Sequence, residues 1–290
     1  MLTVPNGCAW GSGGGPFGRV TRQFGWPGGR PWPREGQEGV VETPVLRTFA
    51  DGRLFGSVTG AGAPRVLVLH GWARSHRDFD TVVDGPVPLP ALALDLPGFG
   101  ASPPPPDAWG AEDYAAEVGS VLGDMAAPVV VLGHSFGGRV ALHLAVQRPD
   151  VVRALVLTGA PLLQPRRRSG HVAFAFRVTR RLHRLRIVSD EAMEAARQRF
   201  GSTDYRAAQG VMREVLVRAV NETDEAQLDA VRCPVHLIWG GDDTAAPLEV
   251  AERALVRLTE GDLDVHPGVG HLTPLLIPAA LRAAVDSCLS

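Results

Sequence analysis

A serine between two glycines is the first feature of this sequence that could do chemistry: residues 133–137 read G-H-S-F-G. A serine hydroxyl is inert near neutral pH unless a base lies beside it. Ser135 follows the apolar run V-V-V-L and precedes the helix-like R-V-A-L-H-L-A, which predicts a sharp strand-to-helix turn. Gly133 and Gly137 fit that turn because larger side chains would collide with the neighbouring strand or helix. The pentapeptide alone is consistent with a nucleophile and with a small residue in a tight bend.

The base and the acid that a nucleophilic serine needs have candidates further along the chain. His271 lies in G-V-G-H-L, in a loop before the last predicted helix. Asp242 and Asp243 end W-G-G-D-D, after the strand-like V-H-L-I-W, so either carboxylate would emerge on the sheet edge where open α/β sheets bind ligands. The order Ser, Asp, His differs from that of the trypsin-like and subtilisin-like proteases. These residues predict acyl transfer by a Ser-His-Asp triad.

Two backbone N–H groups are candidates for holding the oxyanion of such a reaction. Phe136 begins the predicted helix after the serine, which places its amide at a helix N-terminus. The amide of Trp72, in H-G-W after the apolar run R-V-L-V-L, is the second candidate. Among the other histidines, His70 and His134 are expected to be turn or pocket-wall residues. His76 lies in a loop and stays open as a substrate contact.

The elements that must position these residues form a repeating pattern. Short, almost continuously apolar runs are typical of strands buried on both faces of a parallel sheet. They occupy residues 65–70, 91–96, 129–132, 154–157 and 235–239, and helix-like segments occupy residues 111–125, 136–147, 248–258 and 278–288. A hairpin is predicted around Asp51 and Gly52. The alternation predicts a doubly wound α/β fold with a mostly parallel sheet.

Two segments depart from this pattern. Residues 161–232 are predicted to be helical without a strand and are interpreted as a cap inserted into a core of residues 45–160 and 233–290. Residues 1–44 hold 11 Gly and 6 Pro without apolar periodicity. They are expected to be disordered and outside the fold, or to result from a translation start placed too early.

Composition limits the classes of function. The 29 basic and 31 acidic residues give a net charge of −2, which makes nucleic-acid binding an unfavourable hypothesis. The three cysteines, Cys8, Cys233 and Cys288, lack the spacing of a disulfide framework or a zinc site. No run is apolar enough to span a membrane and no secretory signal is evident, so a cytoplasmic protein without metal or cofactor is expected.

Five motifs in order resemble the α/β-hydrolase superfamily, as a capped member with a serine nucleophile. They lie at residues 70–72, 95–102, 133–138, 239–247 and 268–272. The family spacing of W-G-x-x-D before a proline selects Asp243, with Pro247 in place, over Asp242. Asp95 matches a family aspartate that is usually structural. Dehalogenases and epoxide hydrolases of the superfamily carry Asp where this chain has Ser135, so the resemblance disfavours their chemistry.

The resemblance implies a serine esterase that cleaves a small or medium ester or thioester. Two alternatives stay open: a C–C bond hydrolase or lyase with the same triad, and a small-molecule receptor with little turnover. Eight arginines and no acidic residue lie between Pro161 and Val188, in an amphipathic pattern. They are interpreted as the solvent face of a cap helix, as guides for an anionic substrate, or as a membrane-surface contact. The oligomeric state and the substrate are not indicated.

Overall fold

The computed structural model describes residues 19–21, 45–165, 189 and 203–290. The predicted basic segment at residues 166–186 lies outside the described residues, as does the N-terminal segment apart from residues 19–21. Within residues 161–232, the described part holds three helices and no strand. The division into core and inserted cap therefore stays a prediction.

A nine-stranded sheet runs through the molecule in the order β1-β9-β8-β7-β6-β4-β5-β3-β2. The strands are β1 (Arg19–Thr21), β2 (Val45–Phe49), β3 (Leu54–Thr59), β4 (Val66–Leu69), β5 (Ala91–Asp95), β6 (Val129–His134), β7 (Val152–Thr158), β8 (Val235–Gly240) and β9 (Gly261–His266). The six central strands, β9-β8-β7-β6-β4-β5, are parallel to one another. Pairing is antiparallel at both ends of the sheet, where β1 joins β9 and where β3 joins β5 and β2. The predicted α/β class and the hairpin of β2 and β3 are confirmed.

Nine α-helices lie in the described residues. They are α1 (Asp80–Val83), α2 (Ala111–Gly119), α3 (Phe136–Gln147), α4 (Thr203–Ala207), α5 (Gly210–Ala219), α6 (Glu225–Ala230), α7 (Leu248–Arg257), α8 (Thr273–Leu276) and α9 (Pro278–Leu289). None of these described helices is long and apolar enough to cross a membrane.

The strand β4 shows why its run of sequence is continuously apolar. Leu67 and Leu69 belong to the core on one face of the sheet, which also contains residues of α2 and α3. Val66 and Val68 belong to the core on the other face, with residues of α1 and α9. Because side chains alternate along a strand, burial on both faces requires an apolar residue at every position.

Two segments add detail that the sequence did not predict. The helix-like segment predicted at residues 111–125 is present, as an α-helix to Gly119 that continues as a 3-10 helix, Ser120–Asp124, the tighter form in which helices often end. Of the N-terminal segment only Arg19–Thr21 are described, and they pair antiparallel with β9, so the disorder expected of residues 1–44 stays a prediction. Pairing to a sheet edge uses backbone groups only, so it needs no apolar pattern.

Candidate active site

Ser135 lies between the end of β6 and the start of α3, with φ 51° and ψ −118°. A non-glycine residue at positive φ is strained by roughly 1–3 kcal/mol and persists only where its surroundings hold it. The Ser135 N–H donates to the Thr158 carbonyl at 2.9 Å, and its carbonyl accepts from the Gly138 N–H at 3.0 Å. These bonds fix the backbone so that the hydroxyl projects from the turn.

The two predicted elbow glycines leave no room for a side chain. A Cβ at Gly133 would lie 2.6 Å from the Gly138 Cα, and one at Gly137 would collide with the carbonyl oxygens of Leu69 and His70. Both contacts are with backbone, which cannot move aside cheaply. Glycine is therefore required at residue 133 for the turn to close on itself and at residue 137 for the turn to pack against β4.

The structure brings Ser135, His271 and Asp243 together in one hydrogen-bonded chain. The Ser135 Oγ lies 3.0 Å from the His271 Nε2, and the His271 Nδ1 lies 2.8 Å from the Asp243 Oδ2. The other Asp243 oxygen accepts from the N–H groups of Ala245 and Ala246 at 2.8 Å each. A carboxylate on Nδ1 favours the tautomer whose Nε2 can accept the serine proton. Asp242 is exposed, whereas Asp243 is buried.

The two predicted oxyanion donors belong to residues that line the same cavity as Ser135. Phe136 is the first residue of α3, where backbone N–H groups lack intrahelical partners. The rings of Trp72 and Phe136 pack edge to face with centroids 5.8 Å apart. Ala73 follows Trp72 with φ 54°, a second strained backbone position in this region. Gly71 permits the close approach of the loop, since a Cβ there would lie 3.1 Å from the Ser135 Cβ.

The cavity beside Ser135 has a volume of about 470 Å³. Its walls are largely apolar, with Leu163, Leu216, Ala219, Val220 and Leu272 among the lining residues. Arg74 also lines it, but its guanidinium donates two hydrogen bonds to the Asp78 carboxylate. A cavity of this size with a few convergent polar groups suits a small organic molecule. No cluster of potential metal ligands occurs within the described ranges.

Comparison with known proteins agrees with this geometry. A model described as "Alpha/beta hydrolase family" matches residues 66–284. The chain belongs to the alpha/beta hydrolase family. The pimeloyl-[acyl-carrier protein] methyl ester esterase of Neisseria meningitidis serogroup B (strain H44/76) is 29% identical over 244 residues, covering 76% of this chain and 90% of the relative.

Two further proteins are similar to this alpha/beta hydrolase. Lipase LipV of Mycobacterium tuberculosis is 41% identical over 98 residues, which cover 33% of this chain and 37% of the lipase. The thioesterase domain from the curacin biosynthetic pathway has a solved structure that superposes with a TM-score of 0.61 at 18% identity, covering 86% of this chain and all of that domain. The structural likeness shows the fold.

In this alpha/beta hydrolase, the His271 loop is held by residues for which the sequence predicts no contact with it. The His271 carbonyl accepts from the His134 Nε2 and from the Thr273 N–H, each at 2.9 Å. The Thr273 hydroxyl lies 2.7 Å from that of Thr158, at the end of β7. His134 directly precedes Ser135 but its contact lies far along the chain, so only the folded arrangement reveals it.

His134 is held neutral by its surroundings. Because the His271 carbonyl only accepts, the His134 Nε2 carries the proton, and its Nδ1 is buried without a hydrogen-bond partner among the described residues. Burial, followed by the neighbouring His271, lowers the pKa of His134 to about 4. The ring therefore acts as a fixed donor to the His271 loop over the neutral pH range.

Gly159 is another residue that sequence reasoning missed. It has φ +55°, and a Cβ there would lie 3.1 Å from the His271 Nδ1 and 3.2 Å from the Asp243 Oδ2. The backbone after β7 therefore passes directly beside the His271–Asp243 hydrogen bond. Its signal in the sequence is a lone glycine after the run A-L-V-L-T, and a glycine at the end of a strand commonly marks no more than a turn.

Two other histidines have structural surroundings. The His76 Nδ1 lies 2.8 Å from the Asp95 Oδ1, so His76, a candidate substrate contact by sequence, is turned to Asp95. Asp95 also accepts from the Ala101 N–H at 2.8 Å, as expected of a residue that holds a loop. His70 is fully buried, accepts from the Leu96 N–H at 3.0 Å, and has a pKa that burial lowers to about 4.

Proposed function

We propose that this chain is a serine hydrolase that cleaves a carboxylic ester or thioester of small or medium acyl length through an acyl-enzyme. Ser135 is the nucleophile, His271 is the general base and acid, and Asp243 orients the imidazole. One observation carries the proposal: the hydrogen-bonded chain from Ser135 through His271 to Asp243 opens on the 470 Å³ cavity.

In the first half of the reaction, the Ser135 Oγ attacks the carbonyl carbon of the substrate while the His271 Nε2 takes the hydroxyl proton. The carbonyl oxygen becomes an oxyanion, to which the amides of Phe136 and Trp72 donate. When this intermediate collapses, the bond to the alcohol or thiol breaks and His271 returns the proton to the leaving group. The acyl group is then bound to Ser135.

In the second half, water attacks the acyl carbon as His271 accepts one of its protons. Collapse of the second tetrahedral intermediate releases the carboxylic acid and returns the proton to the Ser135 Oγ. Asp243 keeps its charge throughout and stabilises the imidazolium that forms twice per cycle. Backbone hydrogen bonds from Ala245 and Ala246 hold its other oxygen in place.

For the substrate, the proposal names a class: an acyl chain joined through an ester or thioester bond. The apolar walls of the cavity support an acyl chain rather than a sugar or a nucleotide. The relatives named as a pimeloyl-[acyl-carrier protein] methyl ester esterase and a lipase support an ester bond as the target. The arginine-rich segment at residues 166–186 lies outside the described residues, so guidance of an anionic substrate stays a prediction from the sequence.

A substrate panel tests the proposal. The wild-type chain, Ser135→Ala and the control Ser120→Ala, which alters an exposed serine, are assayed with p-nitrophenyl esters of increasing acyl length, an acyl thioester and a β-diketone. We expect turnover of the esters or thioester by the wild type and the control, and a loss of about 10⁴-fold or more in Ser135→Ala. Cleavage of the β-diketone alone would favour C–C bond hydrolysis, and no turnover of any substrate would favour a receptor.

A further inference from the structure

A buried ion pair links the nucleophile helix to the chain beyond α5. Arg139, in the first turn of α3, and Asp224 are each 1% exposed. The Arg139 Nε and Nη2 donate to the two carboxylate oxygens of Asp224 at 2.6 and 2.9 Å, and its Nη1 donates to the Ala219 carbonyl. The His143 Nε2 lies 3.0 Å from the same carboxylate. Desolvation makes a buried ion pair a weak source of net stability. What this pair does supply is a fixed geometry between α3 and the residues it bonds.

Asp224 lies where two segments of the chain meet. They are residues 162–164, after β7, and residues 219–224, which begin at the last residue of α5. The Asp224 N–H donates to the Leu162 carbonyl at 2.9 Å. The Gln164 side-chain amide donates to the carbonyls of Val220 and Glu222 at 3.2 and 3.0 Å. The two segments are therefore bonded to each other, and Arg139 bonds residues 219–224 to α3.

The helix ends that Arg139 connects line one cavity, which Arg139 also lines. Ser135 and Phe136 line it from the start of α3, and Leu216 and Ala219 line it from the end of α5. Because the Arg139 guanidinium bonds Ala219 and Asp224 at once, it fixes the distance between the nucleophile and the α5 wall. That distance limits the space open to an acyl chain.

The charges around Arg139 argue against a direct role in binding an anionic substrate. Its guanidinium faces the Asp224 carboxylate and lies 3.6 Å from the Glu222 carboxylate, which also accepts from Arg218 at 2.9 Å. Burial by itself raises the pKa of Asp224, but hydrogen bonds from His143 and Arg139 hold it below its ordinary value. Asp224 therefore stays ionised at neutral pH and keeps Arg139 engaged.

We propose that the Arg139–Asp224 pair is a specificity-determining element that sets the width of the acyl cavity and so disfavours long acyl chains. The inference rests on the proposed hydrolase function, of which it refines the substrate class. Without the pair, the end of α5 is held to α3 less tightly, and longer chains gain room relative to short ones.

The test compares acyl selectivity in variants that keep the fold. Arg139→Met with Asp224→Leu removes both charges together, since removing one partner would leave the other charge buried and unpaired. The matched control, Arg257→Gln with Asp229→Asn, removes a more exposed pair joined at 2.7 Å that is not among the cavity-lining residues. The readout is the ratio of kcat/KM for p-nitrophenyl decanoate to that for p-nitrophenyl butyrate, with Tm as a check on folding.

We expect the ratio to rise about tenfold in the double variant and to stay unchanged in the control, since pocket fit is worth about tenfold or more per methylene. A folded double variant with the wild-type ratio overturns the proposal. If the double variant does not fold, Arg139→Lys decides by the same ratio, because lysine keeps the charge but cannot bond Asp224 bidentately and Ala219 at once.

Failure of the proposed function gives a different result from failure of this inference. A wild-type chain that hydrolyses neither an ester nor a thioester overturns the function, but the labelling rates with a long-chain and a short-chain alkyl fluorophosphonate then supply the same ratio. An unlabelled wild-type chain contradicts both proposals.

Discussion

Two histidine–aspartate pairs lie along the neighbouring strands β8 and β9, one within the strands and one in the loops that follow them. His271 and Asp243 lie in the loops after β9 and β8, with the imidazole 2.8 Å from the carboxylate. His236 and Asp262 lie within β8 and β9, with the imidazole 3.0 Å from the carboxylate. We call these the loop pair and the strand pair. By distance alone, the two are nearly equivalent.

Their surroundings separate them. In the loop pair, the second imidazole nitrogen faces the Ser135 hydroxyl and the 470 Å³ cavity. The strand pair borders a cavity of only about 170 Å³ beside α9. Hydrogen bonds to Asp262 and then to the Cys288 thiol raise the pKa of His236 to about 10, so this imidazole is protonated at neutral pH and cannot act as a base. A histidine–aspartate pair becomes a catalytic candidate only at the sheet edge where a nucleophile and a cavity meet it.

The largest expected effect separates the two histidines. His271→Ala removes the proposed base and should lower kcat/KM for an accepted ester by about 10⁴-fold or more, whereas His236→Ala should stay within about threefold of wild type. Steady-state kinetics at neutral pH measure both, and Tm shows that each variant is folded. A loss in His236→Ala as large as that in His271→Ala would break the distinction.

A moderate effect tests how closely the loop pair is held. Gly159→Ala places a Cβ 3.1 Å from the His271 Nδ1 and should lower kcat by about 10- to 100-fold, since small displacements at a reacting centre are costly. The control is Gly62→Ala, which also places alanine at a positive φ, +79°, but has nothing within 4 Å of its Cβ. Equal activities of the two variants would show that the pair tolerates displacement.

The smallest expected effect is a change in stability without a change in catalysis. The pKa of His236 is about 10 in the folded chain against 6.5 ordinarily, so its stabilisation is complete below pH 6.5 and is lost as pH rises towards 10. His236→Gln should flatten the fall in unfolding free energy over this window by up to about 1.4 kcal/mol per pH unit. Urea unfolding at several pH values measures the slope, and parallel slopes would contradict the assigned charge.

Much of the fold could be predicted because its signals are local. Strands buried on both faces are apolar at every position, so β4 and β6 are visible as runs of Val and Leu. The 3-10 ending of α2 and the edge pairing of β1 could not be predicted in the same way. The first depends on how one helix end is packed, and the second uses backbone groups that any sequence provides.

The candidate site likewise contains residues that local motifs predict and contacts that only the folded chain reveals. Ser135, Asp243 and His271 were chosen from short motifs, and the structure brings them within hydrogen-bond distance. The His134 bond to the His271 carbonyl spans 137 residues, and the Arg139–Asp224 pair spans 85. Such contacts depend on which strands and loops meet, and a single sequence carries no local pattern for them.

Covalent labelling tests the central claim most directly. The full chain is incubated at neutral pH with a fluorophosphonate, digested, and the modified residue is identified by mass spectrometry. The account predicts one adduct, on Ser135, that forms at the wild-type rate in His236→Ala and far more slowly in His271→Ala. A wild-type chain that stays unmodified, or an adduct on another residue, would contradict Ser135 as the nucleophile.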